Sequence, residues 1–373
     1  MTKRRRRLDR VDLLLLGTVV GFVAGALVLF LSIQRTRTRV VRETVNASLG
    51  LPREAFQLEE VEEDGSLRIL LRQVAFLDRA GDTIIAAPAV RARLVAGSFA
   101  GTGPIVIDQV LMERPDMRLL QRRNGEWNFT DIFKVQAAGS DVQLAAGADD
   151  AGRPIAFRGI RIVDGRIRVA TPYQPPAKPP SGRLAGLRQP ERVRTAGGWM
   201  TVRTVTGLNA TLPLVRVHDG GWRAEVASLT ANVTNPDTRI VQLAGFVEAD
   251  ARRNYTFRID AFRTPNSAFD GSGRVAMGGA APVFDLNVRA HPLSFADLQG
   301  MGLPIPAAGT VSFALAARSQ PRGRTLWRFT DARVAILDSR ASGRVTVLTG
   351  PGIEPVFSDT RLTLDPLRLA DLE

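Results

Sequence analysis

The chain has 373 residues, which suggests two or three folding units at roughly 100–200 residues per domain. It contains no cysteine and only two histidines, which excludes disulfide scaffolds, cysteine-ligated metal sites and cysteine nucleophiles and leaves little for histidine chemistry. The net charge of +13 is concentrated at the start, where residues 1–42 contribute +8. The remainder carries only +5 and has no basic face interleaved with aromatic residues, so no nucleic-acid partner is expected.

The first element is a membrane segment. A basic tail, residues 1–12, precedes an uncharged apolar run of 21 residues from Leu13 to Ile33. At about 1.5 Å per residue this run spans roughly 30 Å, the thickness of a hydrocarbon core. Gly17, Gly21 and Gly25 form a small-residue face that packs against another helix or reflects the ordinary glycine content of membrane helices.

A cleaved signal peptide is the alternative for this run, because Ala24-Gly25-Ala26 resembles a cleavage site. The apolar stretch continues past that site, which favours an uncleaved signal anchor. The more basic flank lies before the segment, so the N-terminus is predicted to be cytoplasmic and the bulk to lie across the membrane. Residues 34–52 are predicted to continue as a juxtamembrane helix that ends near Gly50 and Pro52.

Beyond this helix the dominant pattern is alternation of apolar and polar residues, which is typical of strands with one apolar face. Tyr255, Phe257 and Ile259 alternate with polar neighbours, as do Phe284 and Leu286. Long amphipathic helices are missing from this part of the sequence. Either two sheets face each other, or one curved sheet holds an apolar ligand.

Internal repeats extend through the last hundred residues. Gly273-Arg274-Val275 recurs as Gly343-Arg344-Val345, and Ala296-Asp297-Leu298 recurs as Ala370-Asp371-Leu372. Repeated β units extend a structure along one axis rather than closing a globule. Because the sequence stops just after the second copy, we expect it to be the N-terminal part of a longer protein.

Composition divides the chain into further regions. A first β region covers 53–136, and an Ala/Gly/Asp-rich flexible loop covers 137–154. A second β region covers 155–171, a proline-rich disordered insertion covers 172–198, and a repetitive β region covers 199–373.

The segment Val110–Phe133, with Pro115, Asn124-Gly125 and Asn128, resembles the AsmA-like superfamily, which includes TamB-type proteins. The resemblance covers roughly residues 55–135 and 270–373. It implies a mainly β protein: an N-terminal transmembrane helix, then an elongated repetitive antiparallel β-sheet, curved into an open hydrophobic groove, with few short helices. It also implies anchoring in the inner membrane of a Gram-negative-type bacterium, a periplasmic bulk, transport of phospholipid acyl chains towards the outer membrane, and an outer-membrane partner of the Omp85 class.

No catalytic motif stands out, so we expect no enzyme activity, cofactor or metal site. The alternative function is a scaffold or chaperone that assists outer-membrane β-barrel assembly or secretion by strand pairing at an open edge. An anchored glycan-processing enzyme is weaker, because no carboxylate pair is evident. The predicted lipid-groove residues alternate along the strands: Ile69, Leu71, Val90, Leu94, Ile160, Ile162, Leu229, Val233, Tyr255, Phe257, Ile259, Phe284, Leu286, Val288, Val311, Phe313 and Leu315.

Overall fold

The computed structural model describes residues 42–43, 55–63, 67–95, 98, 104–124, 127–128, 154–173, 191–195, 198–218, 221–234, 237–250, 252, 254–277, 283–300, 308–366 and 368. The predicted anchor with Leu13, Gly17, Gly21, Gly25 and Ile33 lies outside these residues. So do most of the juxtamembrane segment and nearly all of the predicted loop 137–154. Among the described residues, no helix is both long and apolar enough to cross a membrane.

The described part of the chain is mainly β, as predicted, and its strands join in one sheet of 18. Runs that alternate apolar and polar residues form the strands, and Gly, Pro, Asn and Asp occupy many of the turns between them. The strands are β1 (Phe56–Gln57), β2 (Glu60–Glu63), β3 (Arg68–Leu77), β4 (Thr83–Leu94), β5 (Ile105–Glu113), β6 (Asp116–Leu120), β7 (Ile155–Pro172), β8 (Glu191–Thr195), β9 (Gly198–His218), β10 (Gly221–Thr234), β11 (Thr238–Ala249), β12 (Asn254–Arg263), β13 (Ala268–Ala276), β14 (Val283–Ser294), β15 (Thr310–Gln320), β16 (Arg324–Ile336), β17 (Ser339–Gly350) and β18 (Ile353–Leu364).

Strand order follows chain order through most of the sheet. At one edge the short strands β1 and β2 both pair with β3, which pairs with β4. From β9 to β18 each strand pairs antiparallel with the next. The repeat predicted from sequence is therefore a series of hairpins laid side by side, which extends the sheet in one direction.

The expectation of a wholly antiparallel sheet is wrong at β7. This strand runs parallel to β5 and β6 on one side and antiparallel to β9 on the other, so the sheet is mixed. Parallel neighbours need a long crossover rather than a tight turn. The connection between Leu120 and Ile155 is long enough for such a crossover. The sequence did not predict the parallel pairing because period-2 alternation carries no information about strand direction.

Strand β8 lies inside the stretch 172–198 that the sequence predicted to be a disordered insertion. It forms a short hairpin with the start of β9, in which Val193 pairs with Met200. The guanidinium of Arg192 lies 4.2 Å from the ring centroid of Tyr173, which adds a cation–π contact. The high proline content of the whole segment predicted disorder, although Glu191–Thr195 itself contains no proline.

A short helix, α1 (Phe295–Gly300), follows β14 and is tied to the β12–β13 turn. The Asp297 carboxylate accepts hydrogen bonds from the hydroxyls of Thr264 and Ser267, at 2.6 and 2.5 Å. The Ser267 hydroxyl in turn accepts from the Ser294 amide at 2.9 Å. These hydroxyls belong to buried residues, so the network fixes where the helix leaves the sheet.

Candidate functional site: the apolar face of the sheet

The strand registers place all seventeen predicted positions in rows on a single face of the sheet, called here the apolar face. One row runs through Phe257, Gly273, Leu286, Ala317 and Trp327 on consecutive strands β12 to β16. The other predicted positions lie in neighbouring rows of the same face, through the registers that connect β3 to β15. Side chains that were predicted separately on distant segments therefore form one continuous surface.

The opposite face is charged over β12 to β18. Arg258, Asp285, Arg318 and Arg344 are exposed there. Ion pairs join Arg318 to Asp285 at 3.3 Å and Arg344 to Asp359 at 2.8 Å. Exposed pairs of this kind add little stability, so their main effect is to keep this face in water.

Aromatic side chains pack along the apolar face rather than against a second sheet, since every described strand belongs to the same sheet. Phe262 and Phe269 stack with ring centroids 4.5 Å apart, and Phe313 meets Phe329 edge-on at 5.4 Å. Such contacts shield the rings only from the side. The aromatic members of the predicted set, like most of its other members, are accordingly neither fully buried nor fully exposed.

A line of β-bulges crosses the sheet beneath this face. Strands β10, β12 and β16 each carry one extra residue between the same two rows, for example between Ile259 and Phe262. Strand β18 has its extra residue between Ser358 and Arg361. In β14 the extra residue follows Ala290, one row beyond the position of the other bulges. All five strands run in the same direction. A bulge bends its strand and increases the local twist, so the line is a common bend through half of the sheet.

Two glycines on the apolar face let strands approach at this bend. Gly245 and Gly343 have φ of +148° and +147°, a region that other residues rarely adopt. A Cβ at either position would lie 2.0 Å from a backbone oxygen of the next strand, that of Arg258 or Arg361. Only glycine fits both the conformation and the space.

Sequence reasoning missed several members of this face, including Leu243, Phe262, Phe269, Phe329 and Val345. Each belongs to the same rows as the predicted residues. The reason is the bulge line, because one extra residue shifts the alternation out of phase between Ile259 and Phe262. A search for two alternating runs joined by a three-residue step would have found Phe262.

Titratable groups with shifted pKa values lie at the margins of the sheet. Hydrogen bonding to the Arg72 guanidinium lowers the pKa of the Glu62 carboxyl on edge strand β2. Hydrogen bonds from the Asn254 side chain and amide lower the pKa of Asp250 in the β11–β12 turn. Within the described residues no group of three acidic, histidine or cysteine side chains could hold a metal ion.

Comparison with protein-family models, with curated proteins and with solved structures finds no match for this chain. The geometry of the apolar face and the sequence motifs are therefore the features that bear on function.

Proposed function

We propose that this protein is a membrane-anchored bridge whose sheet curves into an open hydrophobic groove and carries phospholipid acyl chains. The single observation that carries the proposal is the continuity of the apolar face from β3 to β16, with no second sheet among the described strands. In this proposal residues 13–33 anchor the chain in the inner membrane. The sheet stands in the periplasm and leads towards the outer membrane.

Energetics support a groove of this kind. Two acyl chains expose about 30 methylenes to water at ~0.8 kcal/mol each, so their transfer through water costs on the order of 20–25 kcal/mol. A continuous apolar surface removes most of that cost. Strands β11 to β18, at about 4.8 Å spacing, give rows on the order of 35 Å long, which exceeds the length of one acyl chain.

The bulge line supports the curvature of the groove. Bends on same-direction strands that lie between the same rows would curve the sheet about one common line, as a groove requires. The charged opposite face stays in water, where Arg258 and Arg318 are exposed. Carrying lipid requires no catalytic residue on either face.

Site-specific photocrosslinking in native membranes tests the proposal. Crosslinking residues at Phe257, Ile259, Leu286 and Phe313 are expected to capture phospholipid, detected by mass spectrometry of the adduct. The same residue at Asn287, which pairs with Ala316 on the opposite face, is the control. Silence at all four positions, or equal capture at Asn287, would count against a lipid groove.

The open edge of the sheet favours a second candidate, a scaffold that assists outer-membrane β-barrel assembly or secretion with an Omp85-class partner. Among the described strands β18 pairs only with β17, and Phe357, Leu362 and Leu364 on it are 64%, 52% and 51% exposed. A free apolar edge is a template for strand addition. Depletion in cells separates the two candidates. Early changes in lipid composition and permeability favour transport, and selective loss of certain barrel proteins favours assembly.

A further inference from the structure

The apolar face changes along the sheet from sealed to open. In β4 to β10 its side chains form a buried cluster that includes Ile160 and Ile162 at 8% exposure and Leu208 at 3%. Partly buried neighbours such as Met112 and Leu212 pack against this cluster. The centre of this half therefore contacts other apolar side chains rather than solvent.

Gly165 on β7 belongs to the same buried layer. A Cβ built there would lie 3.0 Å from Ile162 Cγ2, 3.2 Å from Pro115 Cγ and 3.4 Å from Leu208 Cβ, so apolar side chains from three segments of the chain meet at this point.

From β11 onwards the same face is different. The buried apolar residues described on it are alanines, namely Ala249, Ala290 and Ala317, whereas the larger side chains such as Leu286 and Leu315 are only partly buried. Exposure rises further at β18, where Phe357 is 64% exposed. An acyl chain laid on this half would cover apolar surface that now faces water, which is the favourable term in binding.

The turns at one end of strands β11 to β16 carry arginines that suit the phosphate of a phospholipid headgroup. Arg252, in the β11–β12 turn, and Arg322, in the β15–β16 turn, are both exposed. Both turns lie at the same end of the sheet, because β11 and β15 run in the same direction. Exposed guanidinium groups at the end of these strands could pair with the anionic phosphate of a ligand whose two apolar chains lie on the apolar face.

We infer that acyl chains occupy the apolar face only from β11 onwards, and that the β4–β10 half is a sealed hydrophobic base that carries no lipid. This inference rests on the proposed function. It moves the site of lipid acceptance away from the first strands of the sheet, so that lipid enters the groove from the side.

The absence of cysteine from the chain allows a clean test with single-cysteine variants of the full-length protein. Val288→Cys places a thiol on the open half and Ile162→Cys places one in the sealed half. Each variant is labelled with a small apolar maleimide as purified with its membrane phospholipid, and again after detergent exchange has removed that phospholipid. Circular dichroism and the melting temperature confirm that each variant is folded.

We expect labelling of the Val288→Cys variant to rise by about tenfold on delipidation and that of Ile162→Cys to stay low in both states. If both variants respond to lipid removal, the sealed base is wrong while the lipid groove stands. If neither responds, whether labelled equally in both states or not at all, the proposed function itself fails.

Discussion

At the bend, single glycines occupy positions where the backbone conformation and the close approach of the next strand exclude any other residue. Gly245 combines φ of +148° with a 2.0 Å approach of its would-be Cβ to the Arg258 oxygen. Gly352, in the β17–β18 turn, also has a positive φ of +67° but nothing within 4 Å of its would-be Cβ. Substitution at Gly352 therefore tests backbone strain alone, whereas substitution at Gly245 tests backbone strain together with the close contact between strands.

Gly245→Ala is expected to lower the free energy of unfolding by on the order of 3 kcal/mol, because the strand pair must open to admit the methyl group. Gly352→Ala should cost only about 1 kcal/mol, the ordinary cost of a left-handed alanine. Urea denaturation of both variants measures the difference. Equal losses would show that the close contact at Gly245 contributes nothing.

Asp297 is a second residue of this kind, since it accepts from the Thr264 and Ser267 hydroxyls at 2.6 and 2.5 Å. Asp297→Ala leaves two buried hydroxyls without that acceptor and is expected to cost about 2–3 kcal/mol. Asp285→Ala is the control, because its exposed pair with Arg318 should be worth less than about 1 kcal/mol. Thermal unfolding that ranks the two variants equally would contradict the role of this network.

One hydrogen bond of this network has a counterpart one unit later. The Arg368 amide donates to the Ser339 hydroxyl at 2.8 Å, as the Ser294 amide donates to Ser267. Ser294 and Arg368 are equivalent positions, each directly after the Pro-Leu pair of its repeat. The sequence repeat therefore encodes a structural contact at the end of the strand as well as the strand itself.

Acid should weaken the β11–β12 turn. The pKa of Asp250 is lowered from 3.8 by hydrogen bonds from Asn254, so its stabilising effect is present above pH 3.8 and is lost as the pH falls through the lowered value. We expect Asp250→Asn to melt below the wild type at neutral pH and the difference to shrink in acid. A difference that does not change with pH would contradict this assignment.

Among the elements, the bulged strands determine the shape of the face. In β16 the extra residue lies between Phe329 and Ala332, where Asp331 has φ of +52°. With Asp331 deleted, Phe329 and Val334 would stay on the apolar face in regular alternation, and the register with β15 would be continuous. The bulge bends the strand without being needed for its register.

Deletion of Asp331 is therefore expected to change the free energy of unfolding by less than about 1 kcal/mol while straightening β16. Deletion of Arg328 is the matched control. It shifts Phe329 by one position, which turns its side chain to the charged face, while the extra residue of the bulge restores the register beyond it. We expect a cost of about 2–3 kcal/mol. Denaturation curves compare the two. A deletion of Asp331 that unfolds the protein would show that the bulge is required for folding.

Elements were predictable from sequence where alternation was unbroken. Phe284, Leu286 and Val288 form such a run, and β14 presents them on one face as expected. Prediction failed where alternation changes phase, as before Phe262, and where direction matters, as for β7. Both failures have the same origin, since period-2 alternation identifies a face but reports neither a bulge nor the partner strand.

At the scale of the whole molecule, the described strands form one extending sheet whose two edges differ. Strands β1 and β2 at one edge are short, and exposed Glu59 and the Arg72-paired Glu62 place charge there, which discourages further pairing. Strand β18 at the other edge is long and exposed. Among the described strands β18 is therefore the edge that is open to further pairing, in keeping with the proposed carriage of a ligand along one axis.

Bound phospholipid, quantified by mass spectrometry of the full-length protein purified from membranes, tests whether the apolar face carries lipid. The wild type and Asn287→Asp, on the charged face, are expected to retain phospholipid. Leu286→Asp, one residue away on the apolar face, is expected to lose most of it at an unchanged strand content. Phospholipid retained equally by all three, or absent from the wild type, would contradict a lipid-carrying apolar face.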